Sequence, residues 1–166
     1  MVDRALSTGQ VQRRYGLAES ALQASGLPLA TAYLAPTRGS YRYRRVVFVV
    51  ATRKLARLDP NSLRHLAGVA ELRALLGVAG DAWRSAAAAR YRPNTPDAFW
   101  KSERGTIAIE YDVGSYSRTQ ILAKARTFLA YASQIWGSSS LARTRHLQHL
   151  LEQTDGSARV LYAPWL

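Results

Sequence analysis

The chain has 166 residues, the length of one domain, and carries 23 Lys and Arg against 11 Asp and Glu, a net charge of +12. A hydrophobic content of 48% supplies a packed core and excludes global disorder. The absence of cysteine excludes disulfide frameworks, thiolate zinc sites and cysteine nucleophiles. The longest strongly apolar run, Val46 to Ala51, is too short to span a bilayer. The N-terminus, with Asp3, Arg4 and Gln10, has no apolar signal-peptide region. A soluble, cytoplasmic protein is expected. The basic residues are twenty arginines and three lysines, Lys54, Lys101 and Lys124. Nucleic acid is the leading partner, because a polyanion stabilises such a charge, and an anionic membrane surface is the weaker alternative.

The charge is denser at the N-terminus, with +7 over residues 1–60 and +5 over the remainder. Asp59-Pro60-Asn61 marks a boundary, because Pro opens helices, and divides the chain into a basic segment 1–58 and a core 59–166. Thr8 can cap a short helix holding Val11 and Tyr15 that Gly16 breaks. A second helix carries Ala21 and Leu22 and stops near Gly26-Leu27-Pro28. Two helices joined by a Gly-containing turn match DNA-binding helix pairs, although other helical hairpins read the same way. The second helix offers Ser20, Gln23 and Ser25 as polar readers and has no Arg. Arg38-Gly39-Ser40 and Tyr41 to Arg45 then read as a hairpin arm or wing running into the buried strand Val46–Val50. Arginine interleaved with tyrosine suits phosphate pairing with stacking on a base or sugar. The bland alternative is a charged edge strand protected from aggregation. Arg13, Arg14, Gln23, Arg38, Arg42, Arg44 and Arg45 are the candidate DNA contacts.

Residues 60–77 predict a helix with the apolar stripe Leu63, Leu66, Ala67, Ala70 and Ala74, ended by Gly77. Glu71 flanks that stripe, where such a residue commonly pairs with an arginine. The stretch 81–95 is ambiguous, because Trp83 and Tyr91 favour strand while the alanines favour helix.

Pro96 to Lys101, a turn at Glu103-Arg104, and Thr106 to Asp112 predict a hairpin. A two- or four-residue loop there sets Lys101 opposite Thr106, Phe99 opposite Ala108 and Asp97 opposite Glu110. Trp100, Ile107 and Ile109 then face the core. Period two places Glu110 and Asp112 on one face with Asp97. Like charges opposed across strands are destabilising, so this face needs an arginine or lysine, or a divalent cation. Oxygen ligands of this kind suit Mg²⁺ or Mn²⁺ rather than Zn²⁺. The alternative is a surface hairpin whose carboxylates splay into water and bind arginines.

Ser117 and Gln120 form a capping box for a helix expected to run to Gly137, with the stripe Ile121, Ala125, Phe128, Leu129, Ala132 and Ile135. Lys124 lies at the edge of that stripe, either as a surface lysine or as a cation reaching the carboxylates. A last helix over about 140–153 and a strand Val160 to Ala163 complete the chain. His146 and His149 lack an acidic partner motif, and His65 reads as structural.

The order helix with Glu71, strand with Asp97, strand with Glu110, helix with Lys124, strand resembles the PD-(D/E)XK, or restriction-endonuclease-like, nuclease core. Pro96-Asp97 and Glu110 match its pattern, and Glu71 stands where its first-helix acid would be. More narrowly, the chain is similar to the replication-relaxation family of bacterial plasmids and mobile elements, which joins a winged helix-turn-helix to such a core. The matching runs are Leu63-Arg64-His65-Leu66 through Glu71-Leu72-Arg73, Pro96-Asp97-Ala98, and Glu110-Tyr111-Asp112-x-Gly114 followed by Lys124. The resemblance implies an α+β or α/β fold: a small winged-helix-like segment followed by a restriction-endonuclease-like α-β-β-α-β core. It also implies a catalytic set of Asp97, Glu110, Lys124, Asp112 and Glu71, with Asp97, Glu110 and Asp112 as ligands of Mg²⁺ or Mn²⁺. Asp112 occupies the usual strand-lysine position, and Lys124 supplies the cation from the following helix. Two functions stay open: a metal-dependent DNA nuclease or nickase, and a non-catalytic DNA-binding accessory or regulator of plasmid replication or transfer. A structural or RNA-binding basic domain is the third. A homodimer fits the class, but no interface is legible.

Overall fold

Local capping chemistry starts most of the helices. The structure is a computed structural model and describes residues 2–35, 42–86, 94–154 and 157–166. Strand β1 (Ala5–Ser7) leads directly into α1 (Thr8–Tyr15), which Ser7 caps through a reciprocal box with Gln10, so Ser7 takes the role expected of Thr8. Gly16 ends α1 at φ +70°, a left-handed conformation that favours glycine. Then follow α2 (Glu19–Ala24), β2 (Leu29–Leu34) and β3 (Arg44–Val50). These strands form an antiparallel sheet in the order β1-β3-β2. Strand β2 is additional to the expected elements, and its alternation of buried Ala30, Ala32 and Leu34 with exposed Thr31 and Tyr33 is the period-two signal of a half-buried strand. Arg38 and Tyr41, at the predicted wing tip, lie outside the described residues.

Asp59 caps α3 (Pro60–Leu75) by accepting from the amides of Asn61 and Ser62, with Pro60 opening the helix as expected. The ambiguous stretch contains a short strand, β4 (Trp83–Ser85); Tyr91 lies outside the described residues. Strands β5 (Ala98–Ser102) and β6 (Gly105–Tyr111) pair with Lys101 opposite Thr106 and Phe99 opposite Ala108, the predicted register.

The larger correction concerns residues 118–137. The Ser117–Gln120 capping box holds, but α4 spans only Arg118–Phe128, and Ser133–Ser138 form a parallel strand, β7. The proposed helical stripe fails at Leu129, which is 54% exposed. Alternation replaces it: Ile135 packs with the α3 side and Trp136 with α4 and α5. Gly137 is a packing residue and not a helix stop, because a Cβ there would stand 2.5 Å from Leu72 Cδ2. Helix α5 (Leu141–Glu152), capped by Ser140, and β8 (Arg159–Tyr162) end the chain.

The second sheet has the order β4-β5-β6-β7-β8, antiparallel through β6 and parallel from β6 to β8. Alternate residues of β6 divide between two cores. Ile109 and Tyr111 pack with Leu63, Ala67 and Leu72 of α3, while Ala108 packs with Ile121, Ala125 and Phe128 of α4 and Leu147 of α5. The α3-side core continues into the first sheet through Ala30, Phe48 and Val50. Trp165 ties the chain's last residues to it, with its ring 5.7 Å from Phe48 and its carbonyl accepting from Ser7 Oγ. Burial of each such side chain contributes roughly 1.5–3 kcal/mol. Among the described residues, no helix is long and apolar enough to cross a membrane.

Candidate active site

The hairpin, α3 and α4 bring four titratable side chains together. The regular ladder ends at Ala98 opposite Ile109, and the Asp97 amide donates to that same Ile109 carbonyl at 2.8 Å, a bulge that replaces the predicted Asp97–Glu110 pair. Asp97 Oδ2 in turn accepts the Tyr111 amide at 2.8 Å, which fixes its carboxylate against β6. Glu110 leaves β6 on the α4 side and is wholly buried. The capping box sets where α4 begins, and two turns later Lys124 Nζ donates to Glu110 Oε1 at 2.5 Å. The same ammonium lies 3.2 Å from Tyr116 Oη. His65 of α3 completes the group, with Nε2 2.8 Å from Asp97 Oδ1. A cavity of about 670 Å³ opens over this cluster, lined by His65, Asp97, Tyr116 and Lys124, with Leu66 and Val69 in its apolar wall.

The two carboxyls are driven in opposite directions. Burial raises Glu110 to about 8, reinforced by the negative charge of Asp97 and opposed by Lys124 and His65. Burial also acts to raise Asp97, but the His65 charge and hydrogen bond, Lys124 and the Tyr111 amide outweigh it and hold Asp97 below the usual carboxylate range. For His65 burial works against the charged form, and Asp97 overcomes it, so the imidazole titrates above its ordinary value. Tyr116 is held protonated by burial and by the Glu110 and Asp97 charges. One acid that keeps its proton beside one that does not is the division of labour from which proton-transfer sites are built.

Not every predicted residue joins this cluster. Glu71 accepts from Gln10 Nε2 at 2.6 Å and from Arg14 Nη2 at 2.7 Å, so α1 occupies it. The α3 side chain that meets Asp97 is instead His65. Asp112 is wholly buried, but its Oδ2 accepts Arg143 Nε at 2.7 Å and its Oδ1 accepts the Gly114 amide. Among the described residues, no group of three or more His, Asp or Glu is placed to hold a metal ion, so Asp112 does not complete a trio with Asp97 and Glu110. The expected Lys124 contact is present. Tyr116, His65 and Arg143 were missed. The signal for Arg143 was the unbalanced charge of Asp112 itself, since a buried carboxylate requires a partner.

The candidate DNA contacts also separate. Arg14 is drawn inward between Glu71 and Asp3, while Arg13 stays half exposed. Glu19 of α2 accepts from Thr8, Gln23 and Arg45. Arg42 and Arg44 lie exposed at the base of the β2–β3 hairpin beside Tyr43, which is 67% exposed.

The His65–Asp97 pair has a pH signature. Because the folded pKa of His65 is raised, its stabilisation is complete below about pH 6.5 and is lost as pH rises through the folded value. Urea denaturation of the protein and of a His65→Gln variant is expected to show a stability gap that is widest near pH 6 and shrinks toward pH 9. A gap independent of pH would refute the pairing.

No curated protein and no solved structure matches the chain. The replication-relaxation family matches residues 3–141, a span that takes in the first sheet, α3, the hairpin, α4 and β7. The chain belongs to the replication-relaxation family.

Proposed function

We propose that the chain is a DNA-binding protein with a restriction-endonuclease-like core that hydrolyses phosphodiester bonds in a metal-dependent manner. Family membership points to a role in replication or transfer of plasmids or other mobile elements. The observation that carries the enzymatic reading is the reach of Lys124 from α4 to Glu110, beside Asp97 and under an open cavity. The element order α3-β4-β5-β6-α4-β7, with the crossover returning parallel to β6, supports the same reading. At the N-terminus, the order β1-α1-α2-β2-β3, with β3 between β1 and β2, supports a winged helix whose hairpin presents Arg42, Arg44 and Arg45.

The residues fit a hard cation. Mg²⁺ commonly takes one or two carboxylates and fills its remaining positions with water and substrate phosphate. Glu110 Oε2 is buried without a hydrogen-bond partner, an orphaned oxygen of the kind a cation would satisfy. Asp97 and Glu110 would hold the ion, which when bound would lower the pKa of a water and offset charge on the phosphate. The chain's own residues supply the rest. Lys124 places a fixed positive charge at the cavity wall, where it stabilises negative charge on a bound phosphate. Tyr116 and Glu110 orient its ammonium. The Tyr111 amide and His65 hold Asp97 in one rotamer.

A second reading is DNA binding without cleavage. The observation in its favour is the closed Asp112–Arg143 pair at the position where the superfamily carries its strand lysine. Incubation with supercoiled plasmid separates the two. The protein with Mn²⁺ or Mg²⁺ is expected to produce nicked circles, and an Asp97→Asn variant that still retards DNA in a gel is expected to lose at least a hundredfold of that rate. Retardation without nicking under either metal selects the second reading.

A further inference from the structure

We propose that the outer face of the first sheet, at its β2–β3 end, is a stacking surface for the bases of an unpaired DNA strand. Residues directly opposite each other in an antiparallel pair share a face. The pairs Ala30–Phe48 and Ala32–Val46 face the α3-side core, so Leu29–Val49, Thr31–Val47 and Tyr33–Arg45 lie on the outer face. Helices α1 and α2 cover one end of that face, where Val11 and Leu22 pack with Leu6, Leu29 and Val49. At the other end Glu19 of α2 accepts from Arg45 Nη1 at 3.0 Å, and Arg45 stays half exposed. Tyr33, opposite Arg45, is 65% exposed. Tyr43 stands directly before β3, two residues from Arg45, and is 67% exposed. Strand period sets it on the same face, as a diagonal neighbour of Tyr33 about 7–8 Å away.

Two large rings exposed on one patch point to a ligand, because isolated exposed apolar groups are ordinary and clustered ones are not. The chemistry of the patch selects a nucleobase. Each tyrosine offers an aromatic face, and the Glu19 bond holds the planar Arg45 guanidinium beside Tyr33. Both kinds of group stack on bases. The exposed Arg44 lies next in the chain to Tyr43 and supplies charge for the phosphate backbone that joins those bases. A net charge of +7 over residues 1–60 favours a polyanion over an apolar protein surface. In a duplex each base is covered by its neighbours, whereas an unpaired strand presents base faces to an aromatic platform. The assignment to DNA rests on the DNA-binding reading above. The preference for an unpaired strand goes beyond it, because a grip on duplex phosphates uses arginines and has no need of two solvent-facing rings.

Fluorescence anisotropy with a labelled oligothymidylate and with a duplex of equal length, in EDTA so that no strand is cut, tests the surface. Tyr33→Thr/Tyr43→Thr keeps a β-branched residue at both exposed positions, which suits a strand, and a thermal melt checks its fold. It is expected to weaken oligothymidylate binding about tenfold or more and to leave duplex binding within about twofold. Tyr43→Thr alone, outside the β-ladder, guards against a folding defect and is expected to lose about threefold or more. Tyr33→Phe/Tyr43→Phe keeps the rings and is expected to bind as the parent chain does. The salt dependence of oligothymidylate binding is expected to be unchanged by Tyr43→Thr and to flatten in Arg44→Ala. Unchanged binding after loss of the rings, equal losses for duplex and single strand, or failure of the phenylalanine substitutions to restore affinity overturns base stacking. A duplex that binds while oligothymidylate does not overturns the proposal and leaves the DNA-binding reading standing. Binding of neither overturns both.

Discussion

Replacement of Lys124 by Met is expected to destabilise the fold by about 3–5 kcal/mol at pH 9.5, above the Glu110 value of about 8, and by much less at pH 5. Glu110 is wholly buried and Lys124 is the cation it touches. Without that ammonium, ionised Glu110 has no offset for its lost hydration, and a carboxyl already raised to about 8 by burial and by Asp97 moves higher still. A raised acid binds its proton more tightly in the folded state than in the unfolded state. Folding therefore loses stability as pH climbs above the unfolded value of about 4.3. At pH 5 the carboxyl is protonated in the parent and in the variant alike, and the remaining cost is the lost hydrogen bonds, about 1–2 kcal/mol. Glu110→Gln in the same chain removes the charge and is expected to restore most of the pH-dependent loss at pH 9.5. A double-mutant cycle followed by urea denaturation measures the coupling. A cost that is the same at both pH values would show that Lys124 packs there without neutralising Glu110.

Gly68→Ala is expected to cost about 1–3 kcal/mol or more through overpacking, and to lower the melting temperature by roughly 2–10 °C for a chain of this size. A Cβ at Gly68 would stand 2.1 Å from Tyr111 Cε1. The ring cannot swing away. Tyr111 is wholly buried, its hydroxyl donates to the Ala163 carbonyl at 3.1 Å, and its amide donates to Asp97. Helix α3 must lift from β6 instead, and His65, one turn earlier, moves with it away from Asp97. Gly9→Ala in α1 is the control. Its Cβ would meet nothing closer than 3.6 Å, and alanine there is expected to be neutral or slightly stabilising. Thermal melts of both variants, with the pH response of His65 as a second readout, distinguish displacement of α3 from a general loss of packing.

Much of the scaffold was legible because its signals are local. The 103–104 turn fixed the register of β5 on β6 as far as Ala98 opposite Ile109. Ser117 with Gln120, and Asp59 with Pro60, started two helices at the positions observed. The error at residues 129–137 came from the same kind of reading. Leu129, Ala132 and Ile135 continue a helical spacing, and periodicity over so few residues does not separate a helix from a turn and a buried strand. What decided it was non-local: parallel pairing with β6 and β8 on both sides, and a place against Leu72 that admits only glycine at 137.

The candidate site divides in the same way. Sequence by itself determined the basic excess, the hairpin and the choice of Lys124 as the cation to examine. Those conclusions need only strand period, helix caps and the cost of unpaired like charge. Only the tertiary structure decided how each charge is met. Lys124 goes to Glu110, His65 to Asp97, Arg143 to Asp112 and Arg14 to Glu71. All four pairings join residues from different elements, so spacing along the chain carries no record of them. They are selected by burial, which makes every uncompensated charge costly and leaves each carboxylate with the cation that packing brings within reach.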